Sequence, residues 1–369
     1  MIYYLILVFL MLAWMFNYKK TNNIGVNGLR QHSYGDFIFL LVLLSSLVFL
    51  AGFRGLTGTD TPTYLLFYET GNYPISMEKI YLNLSRFFSN NDISFRTFQM
   101  VIAFFTIFPI FLQYWKKSEN IYFSILILYL FGFYLYSFNV SRQTLAAAIL
   151  AFTYLYFKKN SLKSIVVSLA LSIIAIGIHK SSLYIFLALI LIRSISPFLL
   201  KNTKLIAITG IFSGILSLYF YKSNYVFDKI LSLSANFSEY QSYIDTGTAT
   251  DVLTNKSLFT FVFAVIGSIV IVLYCKYPVN YRSSMLFPPL FLFTIFQVFQ
   301  INWISDRMSI FVLPLIPLFF TNVVYVEQGI NVSKTVKSLM CTLSIIMGLL
   351  IFSRIVLQNF GQILPYLGW

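Results

Sequence analysis

The chain predicts an all-α, polytopic integral membrane protein of about 12 transmembrane helices, and three observations lead there. Only 10% of its 369 residues are charged and 58% are hydrophobic, whereas a soluble domain carries about 25% charged residues. Apolar runs approaching the roughly 20 residues of a spanning helix recur from end to end. Basic residues gather in every second loop between those runs. A single transmembrane domain over residues 1–369 follows, with no soluble appendage and no internal repeat.

The runs fall at 2–16, 37–53, 97–115, 121–138, 142–157, 162–178, 181–195, 204–221, 257–275, 283–301, 308–326 and 338–353. The first, Ile2 to Phe16, has no preceding basic stretch and no small-residue cleavage site, so it reads as a retained helix. Several runs are shorter than an ideal span, which predicts tilt, local thinning or broken helices. Aromatics make up 19%, as interfacial belts require.

The net charge of +14 would suggest nucleic acid in a soluble protein. Here the positive-inside rule accounts for it, and no nucleic-acid partner is expected. With the loop after the first run cytoplasmic, that side holds 15 basic residues against Asp36, Glu119 and Glu327, and the opposite side holds 11 basic and 9 acidic. Both termini then lie outside. Cys275 and Cys341 lie in or at the end of apolar runs and form neither a metal pair nor a disulfide framework.

Two long loops face the outside, at about 54–96 and 222–256. In the first, Met77, Ile80, Tyr81, Leu84, Phe87 and Phe88 recur at helical spacing, with Glu78, Lys79, Asn83 and Arg86 on other faces. This reads either as an amphipathic helix lying on the outer leaflet or as a short helix packed on the bundle.

Chemistry concentrates on the outer side. Residues 121–157 would extend about 55 Å as one helix, close to two spans, so the segment must turn near Arg142 and Gln143. A cation at that depth is costly and marks a functional candidate, the bland alternative being snorkelling to headgroups. The run 162–192 repeats the device, turning at His179 and Lys180: an imidazole able to act as base and a lysine able to clamp phosphate. FRGLTGTD, residues 53–60, offers Arg54 as an oxyanion clamp, glycines that let backbone approach a ligand, and Asp60 as a base. Asp306 and Arg307 sit between the tenth and eleventh runs, where a structural ion pair is the alternative. Pro314 and Pro317 predict a break in the helix that follows. Arg354 closes the last run.

Arg54, Arg142, Lys180, Arg307 and Arg354 therefore form an outer set of cations at helix ends, suited to a diphosphate at the membrane surface. His32 is cytoplasmic, so the two histidines cannot share a metal. No Asp-x-Asp, Walker, GxSxG or HExxH pattern occurs. Neither a nucleotide, a serine hydrolase mechanism, an essential metal nor another cofactor is expected.

FRGLTGTD with Tyr64 downstream, SRQTLAAAILAFTYLYF, IHKSSLYIF and DRMSIFVLP occur in this order and together cover most of the chain. In this the sequence resembles the EpsG-like, Wzy-type polymerases of O-antigen, capsule and exopolysaccharide. The resemblance implies a GT-C-like enzyme of the bacterial inner membrane, acting at the periplasmic face on undecaprenyl-diphosphate-linked oligosaccharide. Membrane lipids, a chain-length regulator and a flippase are its implied partners. On this reading a hydroxyl of a lipid-linked repeat unit attacks the donor's anomeric carbon, and the cations stabilise the departing lipid diphosphate. Asp60 is the first candidate base, His179 the second, with Asp306 and Glu239 also open. Replacing Arg142 or Arg54 by alanine is then expected to abolish polymer at normal membrane levels.

Other functions compete. A flippase for the same lipid-linked oligosaccharide should carry charges through a central cavity and paired halves, neither of which is visible. A ligase-type transferase shares the arginine-rich outer face. An acyltransferase wants a cytoplasmic histidine, for which His32 is the one candidate.

Overall fold

The computed structural model describes residues 2–19, 32–75, 77–158, 161–222, 258–299, 307–325 and 332–366. Within them the chain is helical, with no strand. The segment 222–256, predicted to be an outer loop, falls outside the described residues apart from Lys222, as do Asp306 and Glu239.

Nearly every predicted run coincides with helix. In order these are α1 (Ile2–Phe16), α2 (Tyr34–Gly52), α3 (Thr61–Thr70), α4 (Lys79–Asn90), α5 (Phe95–Lys117), α6 (Ile121–Leu130), α7 (Phe133–Asn139) and α8 (Ser141–Tyr156). They continue with α9 (Leu162–Ile178), α10 (Ser182–Lys201), α11 (Thr203–Lys222), α12 (Leu258–Tyr274), α13 (Phe287–Phe299), α14 (Ile316–Val324) and α15 (Lys334–Leu357). Among the described residues α2, α5, α10, α11 and α15 are long and apolar enough to cross a membrane, and α6 with α7 makes a sixth candidate if the bent pair is one span. The remaining apolar helices α1, α9, α12 and α13 are shorter. This is a membrane protein in which, among the described residues, four shorter apolar helices stand beside five full-length ones.

Two of the breaks have covalent causes. α6 and α7 meet at 44° where Gly132 takes φ +78°, a conformation that glycine adopts without a Cβ penalty. A Cβ at that position would also run into Ile355 of α15. The predicted eleventh span is broken as Pro314 and Pro317 require: a helical turn at 307–310 gives way to turns over 311–315 before α14 begins.

The α6–α7–α8 hairpin is the centre of the bundle. Every residue of α6 is buried. In α8, Ala146, Ala147, Ala148 and Ala151 are fully buried, and such small side chains let helices approach closely where lipid supplies no hydrophobic drive. α8 packs on α5 and α9, while α6 packs on α1, α14 and α15. The large residues turned outward on α9, α10 and α11 are mostly Ile, Leu, Val and Phe, with Tyr184 and Tyr219 among them, as lipid contact demands.

The helix at 77–88 is packed on the bundle. α4 contacts α3, α5 and α9. Its Tyr81 and Ser85 are buried, and Ile80 fills the space left open at Gly177 of α9. Helix α3 was not foreseen, because TPTYLLFYET has no clear helical face; Pro62 in its first turn and left-handed Gly71 at its end delimit it.

Loop contacts form separate groups. Asn120 donates to the Asn17 carbonyl, Arg193 to the Tyr154 and Phe157 carbonyls, and Arg282 to the Leu200 carbonyl. Elsewhere, the segments 54–60, 77–81, 139–143, 179–180 and 359–366 meet.

Candidate functional site

The site is assembled on the turn between α7 and α8. Asn139 and Val140 end one helix and Ser141 begins the next, so Arg142 and Gln143 project from the first turn of α8. A cation there opposes the helix dipole, whose positive end lies at the N-terminus. It needs a compensating anion, and Glu78 supplies it.

Glu78 precedes α4. Its Oε2 lies 2.6 Å from Arg142 Nη1. Its Oε1 accepts from His179 Nδ1 at 3.1 Å and from the Lys180 backbone N–H at 3.2 Å. One carboxylate therefore ties the α7–α8 turn to the α9–α10 turn. Burial raises its pKa, but the His179 hydrogen bond, the Arg142 guanidinium and its own backbone N–H outweigh this and hold it down at about 2. Arg142 Nε donates to the Tyr64 hydroxyl at 3.0 Å, and the guanidinium lies 5.5 Å from the Tyr64 ring and 5.8 Å from the Tyr81 ring. The His179 ring stacks on Phe311 at 5.9 Å.

Asp60 enters from a second direction. The glycine-rich loop is pinned across the α7 terminus: the Asp60 N–H donates to Asn139 Oδ1 at 3.1 Å, and the Thr61 hydroxyl donates to the Phe138 carbonyl at 3.1 Å. Gly58 and Thr59 N–H groups donate to the Gln362 and Gly361 carbonyls of the tail, both at 3.0 Å. Gly58 has φ +101°, and a Cβ there would strike the Phe138 carbonyl oxygen. Glycine is thus required by this close approach rather than by ligand contact. Burial raises the Asp60 pKa from its ordinary value, against the lowering influence of Arg307, the Thr59 hydrogen bond and Arg142. The same two guanidiniums act on the Tyr64 hydroxyl. Gln143 Nε2 donates to the Arg307 carbonyl, joining α8 to the 307–310 turn.

The five cations singled out in the sequence are not held alike. Glu78 accepts from Arg142 and from the Lys180 backbone N–H, and the charges of Arg307 and Arg142 act on Asp60. Arg54 instead is buried, 4% exposed. Its Nη1 donates to the Ser137 carbonyl at 3.4 Å and its guanidinium lies 5.1 Å from the Phe138 ring. Burial lowers its pKa to about 10, so it is still charged at neutral pH. Arg354 is also buried and lies 5.4 Å from the ring of Phe360, in the tail that carries the Gly361 and Gln362 carbonyls. These two sites differ from the expectation because a basic residue at a helix end can turn toward protein as readily as toward the surface, and rings draw it inward. Asp306 lies outside the described residues.

Glu78 is the residue that sequence reasoning misses, since its spacing places it only on a polar face of a helix. The available signal was indirect: a cation at a helix N-terminus in apolar surroundings requires an anion. Which of the outer acids would supply it depended on α4 docking beneath α9.

In comparison with known proteins, the EpsG family model matches residues 37–367. No curated protein and no solved structure matches the chain.

Proposed function

This chain belongs to the EpsG family, and from that premise we propose that it is a bacterial surface polysaccharide polymerase. It transfers the growing glycan from undecaprenyl diphosphate to a lipid-linked repeat unit at the periplasmic face of the inner membrane. The observation that carries this reading is the grouping of Asp60, Glu78 and His179 with Arg142 and Arg307 at one end of the bundle.

The acceptor hydroxyl attacks the anomeric carbon of the donor as the bond from that carbon to the diphosphate oxygen breaks. The lipid diphosphate leaves with the electron pair, and the hydroxyl proton passes to Asp60. A carboxylate whose pKa is raised by burial is better matched to that transfer than an ordinary one. Arg142 and Arg307, with Lys180 and Gln143 beside them, stabilise the charge that develops on the diphosphate. His179, held through Nδ1 by Glu78, presents Nε2 as the second candidate base. Arg54 and Arg354 act from beneath, holding the Asp60 loop and the tail. The short apolar helices α1, α9, α12 and α13, with α8 and the broken segment leading into α14, serve as tilted spans in a membrane thinned around them, for about twelve spans with both termini periplasmic.

The test is a glycan ladder from cells carrying Asp60→Asn or Arg142→Ala at normal membrane abundance. Single repeat units on the surface lipid are expected. Almost no transferred glycan would indicate a flippase, long lipid-linked polymer a ligase, and wild-type ladders from both variants would refute the site.

A further inference from the structure

A second polar space lies inside the bundle beneath the site, sharing Tyr64 and Tyr81 with it. It is lined by Arg54, Tyr81, Gln99, Ser137, Ser141 and Thr144, among others, and no lining residue is acidic. Arg54 and Gln99 are each 4% exposed. Arg54 Nε and both amide atoms of Gln99 are buried without a hydrogen-bond partner. Among the described residues Arg54 meets a carbonyl and an aromatic face but no carboxylate.

A guanidinium in low-dielectric surroundings is costly unless a counter-charge accompanies it. Buried polar atoms are satisfied in the great majority of structures, so two unmatched donors, Arg54 Nε–H and the Gln99 amide NH₂, on residues that line one cavity point to an occupant that accepts hydrogen bonds. The cavity measures about 10 Å³, room for about one water-sized particle. A phosphate group is excluded by size, which separates this space from the diphosphate site. The donors available, a guanidinium N–H and the Gln99 amide NH₂, suit an anion.

We propose that this cavity binds a single monatomic anion of chloride size, held between Arg54 and Gln99 as the resident counter-ion of Arg54. The ion neutralises the cation that clamps the last turn of α7, and through Ser137 and Phe138 it steadies the loop bearing Asp60. A neutral water would satisfy the hydrogen bonds and leave the charge unmatched.

The experiment uses the purified full-length protein in detergent, with sodium chloride exchanged for sodium gluconate at constant ionic strength. Chloride and bromide are expected to raise the thermal midpoint by a few degrees over gluconate, saturably, as a ligand of the native state does. Gln99→Leu and Arg54→Gln are expected to abolish the difference; Gln99→Leu keeps the test open should Arg54→Gln fail to fold. Crystals grown in bromide should show an anomalous peak between Arg54 and Gln99. Equal midpoints in chloride and gluconate, a halide gain undiminished in Gln99→Leu, or water density with no bromide signal would each overturn the proposal.

Discussion

Glu78 Oε2 lies 2.6 Å from Arg142 Nη1 across 64 residues of sequence, and the same carboxylate accepts from His179. The pair places an anion at the positive end of α8, where the arginine alone would be unfavourable. It joins α4, α8 and the α9–α10 turn into one polar unit.

Removing that carboxylate should cost both stability and polymer. Glu78→Gln leaves Arg142 without its counter-charge and His179 without its acceptor. A loss of about 1–3 kcal/mol is expected, read as a lowered thermal midpoint, with shortened or absent ladders. A variant matching the wild type in both would show that the ion pair is incidental.

The Glu78 carboxyl, at about 2 in the folded protein, titrates near 4.3 when unfolded. Its contribution is therefore complete above the unfolded value and is lost as pH falls through about 4 toward 2. The wild type should lose midpoint more steeply than Glu78→Gln over that range. Parallel curves would contradict the linkage.

Asp60 has the opposite sign. Its pKa is raised by burial, so ionised Asp60 opposes folding at neutral pH. Asp60→Asn is expected to keep or raise the thermal midpoint while abolishing polymerisation. In the wild type, polymer synthesis should fall with acidification at a pH above that of an ordinary aspartate. Loss of stability in Asp60→Asn would count against a functional reading of the raised carboxyl.

Arg142→Lys should fail to rescue Arg142→Ala. One ammonium cannot reproduce both the Nε bond to Tyr64 and the Nη1 bond to Glu78. A fall in polymer of about 10²–10³ is expected for either variant. Near-normal ladders from the lysine variant would reduce Arg142 to a point charge.

Gly58→Ala tests the loop rather than the chemistry. A Cβ at φ +101° meets the Phe138 carbonyl, so a cost of about 1–3 kcal/mol and a displaced Asp60 are expected. Membrane level and ladder length should fall together; a fall in ladder length alone would mean the glycine approaches substrate.

The membrane class, the positions of the apolar helices, the break at Pro314 and Pro317 and the alternation of loop charge were all legible in the chain. Each depends on local composition: twenty apolar residues must leave water, and a proline must interrupt a helix wherever it falls. Arg142, His179 and Asp60 stood out for the same reason, as polar groups where apolar neighbours make them costly. The direction in which each side chain turns lies beyond local composition. Arg54 and Arg142 look alike in sequence, each a cation at a helix end, yet one is 4% exposed in an interior cavity and the other is held between Glu78 and Tyr64. That difference arises from packing, because α4 settles beneath α9 and brings Glu78 within hydrogen-bonding distance of Arg142 and His179. Only the tertiary structure decides which cation receives a counter-charge from another segment, since burying a charge is tolerable only where a distant element delivers its partner.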